Sequence, residues 1–325
     1  MKRALFTGGG SAGHVLPAVP VMQTLIDRGV AVSFVGSTTG LEEQYLGGID
    51  VTYYGIASGK LRRYFAWQNL TDVFHVARGL WQSFRLLGRV RPDVIFSKGG
   101  FVSLPVVLAG WLRRIPIVAH ESDFSPGLAN RLAMPFVDML CTSFASSRPP
   151  RLRGEIQHTG SPVRAELLNG SRQRGRELLG VEDGLAVVVV TGGSLGADVL
   201  NAVVREAAER LVERCCLVHV CGPGKRVAMQ LAGYHQFEFV TDDWGDLLAA
   251  ADVVVSRAGA NALFEVLTLG KPNLLVPLSR AASRGDQIEN ATFAERAGYS
   301  RVLEEAVLDA DRLVRAVSEM LSQKV

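Results

Sequence analysis

The sequence has no apolar run that approaches the roughly 20 residues required by a membrane-spanning helix. Cysteine is also scarce. Cys141, Cys215, Cys216 and Cys221 show neither the CxxC spacing of a zinc site nor an obvious disulfide framework, so we expect buried, reduced thiols. No Asp-x-Asp motif stands at the end of a predicted strand, and no metal site is expected. The first predicted strand already occupies residues 3–7, so we expect no signal peptide and an intracellular protein.

The chain is long enough for two cores. At 325 residues and 48% hydrophobic, it exceeds what one core usually supports. Short apolar runs alternate with segments of helical periodicity, which predicts parallel sheets built from βαβ units. We therefore predict two doubly wound α/β domains, residues 1–160 and 161–325, with a hinge near 158–165. The predicted elements include helices at 13–28 and 224–231 and a strand at 237–240.

An apolar run that ends in threonine and is followed by glycines occurs twice, at residues 5–13 and 187–196. Each run predicts a buried strand that turns tightly into a helix. Glycine permits positive φ there and lets a ligand approach bare backbone N–H groups. Two such turns predict two nucleotide-type halves with a cleft between them.

The first turn matches the GxGxxG pattern through Gly8, Gly10 and Gly13, so a dinucleotide site must be considered. That fingerprint also expects an acidic residue about 20 residues further on, which binds the ribose. The second predicted strand carries VSFVGS over residues 32–37 and has no acid. This absence disfavours a dinucleotide, while a tight turn without any ligand remains an alternative.

His14 directly follows the first glycine run. Imidazole titrates near neutrality, so a histidine at the ligand edge of a sheet can accept a proton from a sugar hydroxyl. The alternative is a capping or merely polar histidine.

The second half offers groups that suit a diphosphate and a ribose. Residues 194–197 precede a predicted helix, whose N-terminal N–H groups and dipole favour an anion. Arg164 could add a bidentate charge, and Glu265 could accept hydrogen bonds from vicinal hydroxyls. Residues 284–290 follow the fifth predicted strand of this half, at the edge where ligands of open α/β sheets bind. A solvated arginine and a surface glutamate are the alternatives at positions 164 and 265.

Charge is distributed unequally. Residues 1–160 hold 17 basic and 10 acidic residues, whereas residues 161–325 hold 18 and 22. Residues 60–67 mix cations with aromatics as an interfacial anchor would, and the next predicted helix repeats this mixture with Trp81, Phe84, Arg85 and Arg89. An anionic membrane surface is therefore a candidate partner. The alternative is that these aromatics are core and the arginines form a solvated face.

Taken together, these motifs resemble those of the MurG family, bacterial N-acetylglucosaminyltransferases that turn lipid I into lipid II in peptidoglycan synthesis. Residues 8–17 (GGGSAGHVLP) resemble the family's first glycine loop, and residues 98–105 (KGGFVSLP) resemble its second. Residues 120–123 (HESD) resemble its HEQN segment, and residues 192–197 resemble its third glycine loop. The order and spacing of these segments agree along nearly the whole chain.

The resemblance implies a GT-B fold, with two Rossmann-like domains facing across a cleft, and an inverting transfer from UDP-N-acetylglucosamine without a metal or cofactor. It implies a lipid-linked muramoyl-pentapeptide acceptor, reached from the cytoplasmic face at the anionic inner leaflet of the membrane. No nucleic acid partner is expected. His14 would be the catalytic base. The implied UDP-N-acetylglucosamine contacts are Ser11, Gly13, Arg164, Ser194, Thr241, Ala260, Asn261, Ala262, Glu265 and Gln287. The implied acceptor contacts are Gly10, Gly99, Gly100, Ser103 and Asp123.

Two positions depart from the family pattern. Asp123 stands where the family has asparagine, and Asp286 stands where it has the first glutamine of a pair. The form SRGDQ at 283–287 resembles a branch of the family in some Gram-positive bacteria, so activity is expected to survive. Relatives continue into a helix that crosses back to the first domain, and we expect that element to be missing or shortened here.

Three rival functions stay open from the sequence. They are another membrane-associated GT-B enzyme such as a diacylglycerol glucosyltransferase, an epimerase that hydrolyses UDP-N-acetylglucosamine, and a non-catalytic nucleotide-sugar sensor.

Overall fold

The computed structural model describes residues 1–10, 12–40, 42–59, 68–145, 149, 151–182 and 184–323, apart from the side chains of residues 12 and 68–73. The chain divides into two compact units, Met1–Pro162 and Val163–Val325. Each unit has its own parallel sheet covered by helices.

The first unit is built on a seven-stranded sheet in which all strands are parallel, in the order β3-β2-β1-β4-β5-β6-β7. Its strands are β1 (Arg3–Thr7), β2 (Ala31–Ser37), β3 (Thr52–Ile56), β4 (Val94–Ser97), β5 (Ile117–Glu121), β6 (Met139–Thr142) and β7 (Glu155–His158). Its helices are α1 (Val19–Asp27), α2 (Gln68–Val90), α3 (Ser103–Leu112) and α4 (Leu128–Ala133).

The second unit has a six-stranded parallel sheet in the order β10-β9-β8-β11-β12-β13. Its strands are β8 (Ala186–Thr191), β9 (Cys215–Val220), β10 (Tyr234–Phe237), β11 (Val253–Ser256), β12 (Asn273–Leu275) and β13 (Arg301–Val302). Its helices are α5 (Ala165–Leu168), α6 (Arg172–Leu179), α7 (Asp198–Val212), α8 (Trp244–Ala250), α9 (Ala260–Thr268), α10 (Asp286–Arg296) and α11 (Ala310–Ser322).

The apolar runs form strands because both faces of each sheet are buried. In β8, Val188 packs with Leu200 of α7 on one face, and Val187 packs with Leu247 of α8 on the other. A parallel strand covered on both sides needs a continuous apolar run rather than an alternating one. The run of valines at 187–190 satisfies this requirement, and all four valines are fully buried.

Both sheets reverse their strand order beside the first strand of the unit. In the first unit β1 lies between β2 and β4, and in the second β8 lies between β9 and β11. At such a switch point the loops after the two neighbouring strands lead away in opposite directions and leave a crevice at the carboxyl edge. The glycine-rich turns after β1 and β8 stand at these two points.

Two predicted elements, one in each unit, have different bounds in the structure. The helix predicted from residue 13 begins at Val19, after two short 3₁₀ turns, Ala12–His14 and Leu16–Ala18. Prolines 17 and 20 explain the delay, because proline is favoured where helices begin and disrupts their interior. The strand predicted at 237–240 is Tyr234–Phe237, in register with Leu217–Val220 of β9.

The helix predicted at 224–231 is wrong, since these residues contain none. Gly222 and Gly224 both have positive φ, and the carbonyls of Lys225 and Val227 accept hydrogen bonds from the side chains of other elements. The four cysteines are buried and unpaired, as expected.

Candidate active site

The first glycine turn packs tightly because it lacks side chains. A Cβ added to Gly8 would lie 2.4 Å from the carbonyl oxygen of His14, so the turn and the following 3₁₀ turn are in direct backbone contact. Gly10 has φ +87° and its N–H donates to Oε1 of Glu42 at 3.0 Å. His14 and Gly13 lie in the Ala12–His14 turn, both half-buried. Ser11 falls outside the described residues.

Glu42 is a site residue that the sequence did not reveal. It is 3% exposed, and a Cβ on Gly9 would lie 2.5 Å from its Oε1. Its Oε2 is buried without a hydrogen-bond partner among the described residues. The acid lies in the loop after β2, and nothing in its local sequence signals that it caps the turn after β1.

The second glycine turn, after β4, meets the first. Gly99 and Gly100 have φ values of +91° and +83°, and a Cβ on Gly100 would lie 2.1 Å from the carbonyl oxygen of Gly9. The Oγ of Ser103, the first residue of α3, donates to the carbonyl of Gly100 at 2.7 Å. The structure therefore brings four of the five predicted acceptor residues into two adjoining turns.

Asp123, the fifth predicted acceptor residue, is held by a buried carboxylate. Glu121 accepts hydrogen bonds from the backbone N–H of Asp123 at 3.1 Å, the N–H of Gly127 at 3.0 Å and Nδ2 of Asn130 at 2.8 Å. Burial raises the pKa of Glu121 although these hydrogen bonds oppose the rise. The HESD segment is thus a fixed turn whose backbone positions Asp123.

A second buried group stands beside this turn. Lys98 directly precedes the second glycine turn, and its Nζ lies 2.6 Å from Nδ1 of His120 and hydrogen-bonds Oγ of Ser122. Burial lowers the pKa of Lys98 to about 8, although the carboxylates of Glu121 and Asp123 raise it. Burial, together with the lysine charge, lowers the pKa of His120 to about 3, so this imidazole is neutral.

In the second unit, the third glycine turn joins β8 to α7. Gly193 and Gly196 both have positive φ, but their surroundings differ. A Cβ on Gly196 would lie 2.0 Å from the carbonyl oxygen of Cys221, whereas one on Gly193 would meet no atom within 4 Å. Ser194 is exposed at the tip of this turn. The turn presents the first N–H groups of a 15-residue helix.

Arg164 and Glu265, predicted separately, form an ion pair. Nη2 of Arg164 lies 3.4 Å from Oε1 of Glu265, and the side chain of Trp244 also hydrogen-bonds this carboxylate. Burial raises the pKa of Glu265, and both partners oppose the rise. Thr241 is exposed, and its carbonyl accepts a hydrogen bond from the backbone N–H of Trp244 at 3.3 Å. Trp244 therefore links Thr241 and Glu265, two of the predicted UDP-N-acetylglucosamine contacts, and the sequence did not reveal this role.

Helix α9 carries three predicted residues in its first turn, Ala260, Asn261 and Ala262. Gln287 lies beside this turn: its Oε1 accepts from the N–H of Leu278 at 3.1 Å, and its Nε2 is 4.0 Å from the Cβ position at Gly259. Because β8 and β11 are neighbours, the turns that carry Ser194 and Ala260 follow adjacent strands.

The departure at Asp286 has a local partner, since its Oδ1 lies 3.3 Å from Nε of Arg284. A second ion pair, between Arg257 and Glu305, is largely buried. Arg257, which is 5% exposed, donates to the carbonyl of Val276 at 3.1 Å and to Oε1 of Glu305 at 2.5 Å. Oε2 of Glu305 accepts from the N–H of Ser279 at 3.1 Å. This pair fixes the loop after β12.

Within the described ranges, no three histidine, cysteine, aspartate or glutamate side chains gather as metal ligands would. Nor is any helix in those ranges long and apolar enough to cross a membrane.

Two family models and several known proteins match this chain. Residues 4–142 match the N-terminal domain of glycosyltransferase family 28, and residues 187–325 match its C-terminal domain. The UDP-N-acetylglucosamine–N-acetylmuramyl-(pentapeptide) pyrophosphoryl-undecaprenol N-acetylglucosamine transferase of Legionella pneumophila (strain Paris) is 45% identical over 98% of this chain and 89% of its own length. The equally named protein of Geobacillus thermodenitrificans is 45% identical over 99% of this chain and 92% of its own. The crystal structure of Acinetobacter baumannii MurG has a TM-score of 0.77 and 25% identity, covering 99% of this chain and 91% of that one.

Proposed function

The chain belongs to glycosyltransferase family 28, and we propose that it transfers N-acetylglucosamine from UDP-N-acetylglucosamine to a lipid-linked N-acetylmuramyl-pentapeptide in peptidoglycan synthesis. The observation that carries the proposal is the 45% identity to two such transferases over nearly the whole chain. The three glycine turns at switch points of two parallel sheets support it physically, since they expose backbone donors where ligands of such sheets bind.

The second unit binds the nucleotide sugar. The N–H groups that follow Ser194 and the dipole of α7 suit the diphosphate. Glu265 accepts the ribose hydroxyls, and its ion pair with Arg164 opposes the rise in the pKa of this carboxylate that burial causes. Gln287, beside the first turn of α9, is placed to contact the sugar.

The first unit binds the acceptor, with its diphosphate at the two adjoining turns that hold Gly10, Gly99 and Gly100. His14 accepts the proton from the attacking hydroxyl as that oxygen bonds to the anomeric carbon and UDP departs. The charge that develops on the departing diphosphate is stabilised by the α7 N-terminus and Arg164, because preorganised donors cost little reorganisation during the reaction. This assignment needs no metal.

A lipid-linked acceptor requires a membrane-facing surface, and α2 provides one. Phe74, Arg78, Trp81 and Arg85 recur at the spacing of one helix face. Phe74 is 75% exposed and Trp81 is 59% exposed, and the guanidinium of Arg85 lies 4.8 Å from the centroid of the Trp81 ring. Exposed aromatics with arginines are typical of a surface that inserts between anionic headgroups.

The membrane-facing surface formed by Phe74, Arg78, Trp81 and Arg85 extends to the end of α3. The guanidinium of Arg113 lies 3.9 Å from the centroid of the exposed Phe84 ring, and its Nε donates to the carbonyl of Phe84. Trp111 and Leu112 are exposed beside it. Arg89 instead lies over the ring of Tyr54 in β3. The predicted anchor at 60–67 falls outside the described residues. The exposed aromatics and arginines support a peripheral location at the membrane, and the family resemblance leads us to propose its cytoplasmic face.

Replacing Phe74 and Trp81 with serine is expected to lower binding to anionic vesicles at least about tenfold, because each fully buried aromatic contributes roughly 1.5–3 kcal/mol. Co-sedimentation with vesicles of rising anionic lipid content measures this. The matched control replaces Phe239 and Tyr299, exposed aromatics of the second unit, with serine. Equal vesicle binding by the two double variants, or binding that does not depend on the anionic lipid content, contradicts the proposal that α2 faces the membrane.

Turnover of UDP-N-acetylglucosamine should be compared with a lipid I analogue, with diacylglycerol and with no acceptor. We expect UDP release and a lengthened glycan only with the lipid I analogue. Turnover with diacylglycerol would assign the protein to the rival transferase. Consumption of the donor without an acceptor would favour an epimerase, and binding without any turnover would favour a sensor.

A further inference from the structure

We propose that Lys98 is a positioning residue of the acceptor side, whose buried ammonium group ties the second glycine turn to the Ser122–Asp123 segment. No part of the activity derived above uses this side chain. The inference rests on the proposed function, because it concerns the binding of that acceptor.

The backbone of Lys98 is fixed to both glycine turns of the first unit. It follows β4 and directly precedes Gly99. Its N–H donates to the carbonyl of Thr7, the last residue of β1, at 2.8 Å. Its Cβ lies 3.3 Å from where a Cβ on Gly8 would stand. The lysine stem therefore packs under the first turn while the backbone leads into the second.

The ammonium group reaches a third segment. It lies against Nδ1 of His120 at 2.6 Å and hydrogen-bonds Oγ of Ser122. An ammonium can only donate, so Nδ1 accepts and the imidazole proton must be on Nε2. Nε2 lies 3.0 Å from the carbonyl oxygen of Gly160 and donates to it. Lys98 thus sets the tautomer of His120 and holds the segment that carries Asp123.

Burial of the Lys98 ammonium group costs free energy, which a purely structural side chain at this position would not require. Lys98 is 2% exposed. The groups that face it are the carboxylates of Glu121 and Asp123, the thiol of Cys141 on β6 and the neutral ring of His120. Glu121 already accepts three hydrogen bonds from other groups. A methionine would fill the same space without the cost of burying a charge.

The test replaces Lys98 with methionine, which keeps most of the stem and removes the charge. We expect the KM for the lipid I analogue to rise at least about tenfold, with the KM for UDP-N-acetylglucosamine within twofold of wild type. The matched control is Lys271→Met. The Nζ of Lys271 also donates to two partners, the carbonyls of Ala249 and Ala251, but in the second unit. The Lys271→Met variant should have KM values for both substrates within twofold of wild type.

The pH profile separates positioning from a merely structural role. In the wild type, the acceptor KM should rise as pH increases through about 8, where Lys98 loses its proton in the folded protein. Lys98→Met should have the high KM at every pH, without this inflection. If the variant does not fold, Ser122→Ala removes one partner of the ammonium and should raise the acceptor KM about threefold.

Failure of this inference and failure of the proposed function look different. If wild-type protein does not glycosylate the lipid I analogue, the proposed function fails. The contact itself is then tested by imidazole ¹⁵N NMR, where the wild type should show His120 protonated on Nε2 alone and Lys98→Met should shift Nδ1. An unshifted Nδ1 overturns the inference. So does an unchanged acceptor KM in a folded variant, or an equal rise in both KM values.

Discussion

Replacing His14 with glutamine is expected to lower turnover by about 10²–10⁴-fold and to leave the affinity for UDP-N-acetylglucosamine within twofold. Removing a general base typically costs this much, because the attacking hydroxyl must then lose its proton to water. Glutamine keeps the size and polarity of the side chain. The backbone of His14, which contacts Gly8, is unchanged. Single-turnover kinetics with saturating donor and acceptor measure the chemical step directly.

The matched control for this experiment is His235→Gln. His235 is a half-buried histidine on β10 of the second unit that has no place in the proposed chemistry. Its replacement should leave turnover within about twofold. If His14→Gln retains most of its turnover while binding both substrates, another group must act as the base.

Replacing Gly196 with alanine is expected to weaken UDP-N-acetylglucosamine binding at least about 10²-fold. Its φ of +69° alone strains an alanine by about 1–2 kcal/mol. The larger effect is steric, because the new Cβ would lie 2.0 Å from the carbonyl oxygen of Cys221. Neither atom is the tip of a flexible side chain, so the turn itself must move. A displaced turn misaligns the N–H groups that face the diphosphate, and each lost hydrogen bond to a charged group costs about 1.5–3 kcal/mol. Titration calorimetry with the donor measures the loss.

The same turn supplies the control. Gly193 has φ +83°, yet a Cβ there would meet nothing within 4 Å. Gly193→Ala therefore carries the φ strain without the collision, and we expect its donor affinity to fall by less than about tenfold. Equal losses in both variants would mean that φ strain, rather than the contact with Cys221, governs this turn.

The central strands and the glycine turns could be predicted because their signals are local. The strand predicted at residues 3–7 has the bounds observed for β1, and the apolar run that starts at residue 187 forms β8, since a strand buried on both faces must be apolar throughout. The turns could be predicted because glycine permits the positive φ that a tight strand-to-helix turn requires. The sequence did not reveal β7, whose residues Glu155–His158 are mainly polar and exposed, or the two-residue strand β13. Helix α6 (RQRGRELL) has too few apolar residues to show a periodic face.

The candidate site could be predicted only as separate segments. The motifs indicated Arg164 and Glu265, but not that the two side chains pair. Glu42 and Glu305 could not be found at all, because each acts on a turn that is distant in sequence. Glu42 accepts from Gly10, and Glu305 pairs with Arg257. Such contacts depend on which loops the sheet order brings together, and local periodicity does not contain that information.

The strand order also has a consequence for how the nascent chain acquires its structure. In each unit the strand that is synthesised first, β1 or β8, lies inside the sheet between two neighbours, and one of these neighbours comes much later. In the first unit β1 ends at Thr7, whereas β4 begins at Val94. Until β4 leaves the ribosome, one edge of the very apolar β1 has no strand to pair with. Long-range parallel pairing of this kind is slow and exposes edges to aggregation. We therefore expect the first unit to depend on chaperones during synthesis more than its final stability would suggest.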